Sequence, residues 1–220
     1  MIPQASFSDR GRVVPLTSHL ADPFQRLGAV LRFTAGEEIY AQEEDADLIY
    51  RVVSGAVRAT RLLSDGRRQI SDFYFPGDLF GLEVGLIHRA AAEALGDVEV
   101  LVVKRRALKL LGEDGAQLER MTWQATGEHL ERAQDHMLLL ARKSACEKVA
   151  CFLSDIAQRC ATVWAVLPMS RQDIADYLGL TIETVSRMVT QLQQEGLVEF
   201  DGCRRFRIAH RSRFAERIAA

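Results

Sequence analysis

No stretch of this sequence is long and apolar enough to cross a bilayer as an uncharged helix, which excludes a membrane-spanning segment of that kind. The opening residues, Met1-Ile2-Pro3-Gln4-Ala5-Ser6, lack the basic and apolar regions of a secretory signal, so a cytoplasmic chain with no membrane partner is expected. Cysteine is scarce and late: Cys146, Cys151, Cys160 and Cys203 all fall in the last third, none at C-x-x-C spacing. That pattern is a poor disulfide framework and a poor zinc site, so no metal is expected. Cys146 and Cys151 read as helical packing residues. Nor is there an excess of one charge, since the chain carries a net of only −2 at pH 7.

That balance is uneven along the chain. Residues 143–220 hold 11 basic and 9 acidic side chains, a net of +2, whereas the first 142 hold 17 and 21, a net of −4. Six arginines and a single glutamate lie between positions 204 and 217. Positive charge is therefore concentrated where an anionic partner would be met, and the whole-chain figure hides it.

The stretch 168–195 carries the most specific pattern. Ser170 is an N-cap candidate with Asp173 three positions on, and Ile174, Ala175 and Leu178 give the short helix one apolar face. Gly179 permits a sharp left-handed exit. Thr181 then caps a second helix with Ile182, Val185, Val189 and Leu192 expected inward. Two capped helices joined at a glycine form a helix-turn-helix, whose second helix is shaped for a DNA major groove. Glu183, Ser186 and Arg187 stand at i, i+3 and i+4 on that helix and share a face. An arginine there can donate twice to guanine, a glutamate can accept from a cytosine amino group, and a serine can reach a base or phosphate. The alternative is a plain surface Glu–Arg pair, worth about 0.3 kcal/mol.

Downstream, Asp201-Gly202 between two alternating apolar runs predicts a hairpin, and so a wing, with Arg204 and Arg205 near its turn. Ser170, Arg171, Thr181, Thr184, Arg204 and Arg205 are the candidate phosphate contacts. Cys203 stands among those arginines and is a candidate redox site whose oxidation would block DNA.

Upstream, residues 1–18 read as a flexible arm, followed by an apolar turn near Phe24 and Leu27. From 31 to 103 the pattern is of short strands broken near Gly36, Gly55, Gly66, Gly77 and Gly96, with strands expected over 48–53, 57–63, 68–75 and 98–103. Turns about every ten residues predict a small sandwich or jelly roll. A short helix is expected over 106–111, and a long one over about 117–142 with two stripes. Trp123, Leu130, Met137 and Leu138 are expected to pack on the β domain, while Leu118, Ala125, His129, Arg132, His136 and Leu139 form the expected dimer seam. A further helix over 144–158 turns Val149, Phe152, Leu153 and Ile156 inward. The fold class is thus α+β, divided as 1–18, 19–112, 113–142 and 143–220.

The order β-roll, long helix, winged helix-turn-helix resembles the Crp/Fnr family of bacterial transcription regulators over about 31–208. The run from Asp173 to Arg187 is similar to the FNR and FixK branch, in which Glu-x-x-Ser-Arg reads TTGA-type half-sites; Ile182 stands where the cyclic-AMP receptor branch has arginine. The resemblance implies a homodimeric activator reading an inverted repeat of double-stranded DNA and recruiting RNA polymerase, in low-oxygen or nitrogen-fixation control. The hairpin at Asp65, Gly66 and Arg67 occupies a position that touches polymerase in the family; a plain solvated turn is the competing reading.

Departures narrow the type. Glu83 and Arg89 are present, but their spacing differs from that of the cyclic-nucleotide binders and the phosphate-binding hydroxyl of the motif is missing. Arg89 then reads as an ordinary surface arginine. No cysteine precedes Cys146, so the iron–sulfur cluster of FNR proper cannot be assembled. Haem through His88 or His129 would need an axial pocket, and no cofactor is expected. The alternative is a ligand-, redox- or haem-dependent sensor whose β-roll controls DNA affinity. An enzyme is not expected: Cys151 and His129 are the one nucleophile pair worth naming, and they lack a third partner.

Overall fold

The computed structural model describes residues 22–109, 112–160 and 162–219, so the expected arm at 1–18 lies outside the described residues. The chain divides into two compact units, residues 1–130 and 131–220. The division falls inside one continuous helix, not at either end of it.

The first unit starts with a short helix, α1 (Pro23–Leu27), which Asp22 caps by accepting the Phe24 amide at 2.8 Å. Eight strands follow: β1 (Ala29–Phe33), β2 (Glu38–Tyr40), β3 (Leu48–Ser54), β4 (Val57–Leu62), β5 (Arg68–Tyr74), β6 (Leu79–Phe80), β7 (Ala91–Ala94) and β8 (Val98–Lys104). They form two antiparallel four-stranded sheets, ordered β1-β8-β3-β6 and β2-β7-β4-β5. The four strands expected from the sequence are β3, β4, β5 and β8, each within a residue at either end. The breaks hold because glycine takes conformations other residues resist. Gly55 turns at φ +82°, and a Cβ there would collide with the Asp97 carbonyl oxygen.

Between the sheets, Phe33, Tyr40, Tyr50, Val52, Phe80, Val98, Val100 and Val102 make one core. The other face of β8 is apolar too. Leu101 and Val103 meet Phe24, Ile49, Leu79, Leu118 and Ala125 in a second core. A strand apolar on both faces must be covered on both.

That cover comes from α1 and from the long helix α2 (Glu113–Arg142), which begins four residues before the expected start. It corrects the first half of the expected seam. Leu118 and Ala125 are buried under the sheet, and His129 stacks on Tyr74 with ring centroids 5.4 Å apart. The stripe expected to pack on the β domain is instead the open one: Trp123 is 80% exposed, Leu130 60%, Met137 62% and Leu138 56%. The expected helix at 106–111 is a 3-10 turn over Arg105–Lys109.

The second unit contains α3 (Ala145–Arg159), β9 (Ala165–Val166), α4 (Arg171–Leu178), α5 (Ile182–Gln194), β10 (Val198–Asp201), β11 (Arg205–Ile208) and α6 (Arg211–Ala219). Ser144 and Glu147 close a capping box on α3, and Val149, Phe152, Leu153 and Ile156 are buried as expected. The wing is a three-stranded sheet ordered β10-β11-β9, one strand more than the hairpin the sequence announces. Its turn comprises the three residues 202–204, with Gly202 at φ +68°.

Candidate nucleic-acid interface

Each end of the reading hairpin is fixed by short-range hydrogen bonds. The Ser170 hydroxyl accepts the Asp173 amide at 3.1 Å and donates to the Asp173 carboxylate at 2.7 Å, and the Ser170 amide donates to that carboxylate at 2.9 Å. Two donors that the start of α4 would leave unpaired are thereby satisfied. Gly179 ends the helix at φ 62°, ψ 40°, where its N–H reaches the Ala175 carbonyl. Thr181 then starts α5 by accepting the Thr184 amide at 3.2 Å.

Val185, Val189 and Leu192 anchor α5 through its buried face, against α3 and α4. Ile182 does not join them and stays 38% exposed. With one face fixed, the other is fixed as well. Glu183, Ser186 and Arg187 are exposed together on it, as their spacing predicts. The helix's own N–H beside Glu183, then the Thr181 side chain, then the Arg187 charge hold the Glu183 carboxyl below the usual carboxylate range. At neutral pH it is an acceptor only. Arg187 makes a single long contact, Nη2 to Thr184 Oγ1 at 3.4 Å, so most of its donors face outward.

The other candidates differ from one another. The Ser170 hydroxyl is committed to its cap, and Thr181 and Thr184 bond to each other at 3.1 Å. Arg171 does not stand free: its guanidinium lies 5.1 Å over the Phe200 ring, half-buried, and burial lowers its pKa. Arg204 is exposed and makes no ion pair among the described residues, while Arg205 pairs with Asp201 at 3.0 Å. Sequence reasoning missed Arg207 and Trp164. The guanidinium groups of Arg205 and Arg207 lie 5.3 and 5.1 Å over the Trp164 ring, and Arg207 also pairs with Glu199 at 2.6 Å. The alternation Arg205-Phe206-Arg207 carried that signal, since a strand that buries its phenylalanine puts both arginines on one face. Cys203 is exposed in the wing turn.

Away from the hairpin, Asp65 at the tip between β4 and β5 accepts the Arg67 amide at 3.0 Å and its Nε at 2.7 Å, which lowers the Asp65 pKa. A cavity of about 310 Å³ in the β unit is lined by Tyr40, Arg61, Ser71, Glu83, Arg89 and His129. Arg89 lines this cavity yet is exposed, as the expected surface arginine would be, and its backbone amide donates to Glu83 at 3.0 Å. His88 is buried and stacks on Tyr40 at 3.6 Å, and burial lowers its pKa. Burial also raises the Cys151 thiol, the wrong direction for a nucleophile. Among the described residues no group of three or more histidine, cysteine, aspartate or glutamate side chains could hold a metal ion. No helix among them is long and apolar enough to cross a membrane.

Comparisons with known proteins agree with this geometry. Residues 167–198 match the model for bacterial regulatory proteins of the crp family, and residues 30–114 that for the cyclic nucleotide-binding domain. The chain is 42% identical over 209 residues to the nitrogen fixation regulation protein FixK of Azorhizobium caulinodans, covering 92% of this chain and 84% of that one. It is 45% identical over 170 residues to FixK of Rhizobium meliloti, covering 77% of each. Among solved structures, FixK2 from Bradyrhizobium japonicum superposes with a TM-score of 0.83 at 48% identity, over 88% of this chain and 98% of that one.

Proposed function

The chain belongs to the Crp/Fnr family of bacterial transcription regulators, and we propose that it acts in the manner of FixK, as a homodimeric activator that reads a TTGA/TCAA-type inverted repeat. The family and the match to DNA-binding regulators are plain; the half-site, the pairing and the recruitment of RNA polymerase are our reading. The observation that carries it is the outward trio on α5. Glu183, Ser186 and Arg187 are exposed together on a helix capped at its start and anchored from behind. Side chains held on a rigid helix read base edges without first losing freedom of the backbone. In this reading Arg187 takes the guanine and Glu183 the cytosine amino group, while Ser170, Arg171, Thr181, Thr184, Arg204 and Arg205 line the phosphates.

Pairing supplies the second head. On α2, Trp123, Leu130 and Met137 recur every seven residues, with the exposed Thr126 and Ala133 between them. An uncovered apolar stripe with that repeat supports a two-stranded helical seam. It replaces the seam expected from Leu118, Ala125, His129, Arg132, His136 and Leu139. The division into 19–112, 113–142 and 143–220 then has a functional sense: a sensor-like roll, a pairing rod and a reading domain. The Asp65–Arg67 tip is the surface offered to polymerase. The FixK relatives, named for nitrogen fixation, support a role in that regulation in the cytoplasm, with no catalytic activity of its own.

One observation favours a second reading. The cavity lined by Arg61, Arg89 and Glu83 offers convergent charge for a small ligand, which would make the β-roll a sensor that tunes DNA affinity. Oxidation of the exposed Cys203 is a redox form of the same idea.

Gel-shift titrations on a TTGA duplex and a TTAA duplex test the main reading. Arg187→Ala is expected to cost about 1–3 kcal/mol and to erase the preference, whereas Arg204→Ala weakens both duplexes alike and flattens the salt dependence. An unchanged preference in Arg187→Ala would sink the assignment. Tight DNA binding by protein purified without additives, and equal peroxide sensitivity of Cys203→Ser and the parent, would dispose of the sensor forms.

A further inference from the structure

The segment between β6 and β7 contains the most exposed apolar side chains of the β unit. Val84 is 97% exposed and Leu86 85%, with Ile87 beside them at 47%. A mobile loop could hide such residues among its own conformers, but this one is fastened. Arg105 donates to the carbonyls of Glu83 and Val84 and, at 2.6 Å, to that of Gly85. The Ala46 amide donates to the Leu86 carbonyl at 2.7 Å, and Asp45 bridges to Ile87. Four successive carbonyls, from Glu83 to Leu86, are thus held by donors of the same unit, while the aliphatic side chains are held out in water. Exposed apolar side chains on a fixed backbone mark a contact surface, because ordering them without burying them gains nothing.

The position of this loop indicates its occupant. Its two flanks, Glu83 and Arg89, line the same cavity as His129 of α2. At about 100° per residue, His129 stands only ~40° round the helix from Ala133 and ~60° from Thr126. Those are the small exposed positions of the seam, so the cavity lies at the seam edge of α2 and not behind it. In a symmetric parallel pair, helices about 8–10 Å apart bring the partner's α2 to that edge at nearly the same height.

We propose that Val84 and Leu86 dock on the exposed apolar stripe of a second copy's long helix, so that each β unit grips the partner's rod as well as its own. The inference rests on the pairing proposed above and extends it from one helix–helix contact to a second surface.

The experiment uses the full chain. A benzophenone side chain is placed at position 86, and an equimolar mixture of heavy-isotope and unlabelled protein is irradiated. Cross-links from position 86 to peptides of the 118–140 stretch of the opposite isotope are expected. Cross-links confined to one isotope, while the same probe at position 130 still joins light to heavy chains, overturn the docking and leave the helix pair intact. If neither probe joins light to heavy chains, pairing itself fails and the docking falls with it. The double variant Val84→Ser, Leu86→Ser should raise the dimer Kd about tenfold or more by sedimentation with an unchanged far-ultraviolet circular dichroism spectrum. An unchanged Kd would count against the docking.

Discussion

Two helices of this protein, α5 and α2, are both amphipathic and end in opposite situations. On α5 every apolar residue after the first turn has a place in its own chain, and what is left outside is polar. On α2 one apolar stripe is buried and a second, from Trp123 to Leu138, is left uncovered. The difference separates two uses of the same pattern. In the proposed function α5 meets a polar, charged partner and keeps its apolar face for its own fold, whereas α2 meets its like and keeps one apolar face in reserve.

That contrast can be broken most sharply on α2. Leu118→Ala empties a position buried under β8 and should cost about 2–5 kcal/mol of unfolding free energy in denaturant titrations, leaving self-association intact. Leu130→Glu, about three turns further on, should do the reverse. Sedimentation should find monomers, and specific duplex affinity should fall by about 100-fold, ~2.7 kcal/mol, with little change in the melting of the separate chain. If the two variants exchanged phenotypes, the original seam would be reinstated. On the reading side the effects are smaller. Ser170→Ala removes one half of the capping box and should lower stability by about 1 kcal/mol, and Ser170→Asp should restore most of it.

The smallest effect concerns pH. A carboxylate depressed in the folded state contributes stability that is present above its ordinary range, near ~4.3, and is lost as pH falls through the lower folded value. Glu183 is in that position, so discrimination lost in Glu183→Gln should be the same at about pH 8 and about pH 5 in anisotropy competition. A decline already near pH 6 would mean that the carboxylate is not held down.

How far the sequence could be read follows from the range of the interactions. Ser170 with Asp173, Gly179 and Thr181 act within four residues, and all were legible. The strands with their own alternation, β3, β4, β5 and β8, were legible for the same reason. Two-residue β6 and β9 have no pattern of their own and exist only through their neighbours, Tyr50 and Arg51 for β6, Arg205 and Phe206 for β9. Among its described side chains helix α6 has one that is deeply buried, Phe214, set among arginines. The faces of α2 were exchanged because both stripes fit helical spacing, and the choice depends on a distant fact, the apolar outer face of β8. The unbroken run Val100-Leu101-Val102-Val103 announced that face, since a strand wet on one side alternates. The stacking of Arg171 was not legible for a like reason: nothing near it in the chain foretells the ring of Phe200, 29 positions on.

The pair of arginines stacked over Trp164 gives the wing an optical signature. An indole's emission responds to charge above its ring, and in the proposed complex phosphate oxygens would compete for those same guanidinium groups. With Trp123→Phe removing the chain's only other indole, fluorescence would follow the wing alone, in real time and without a dye, as duplex is added.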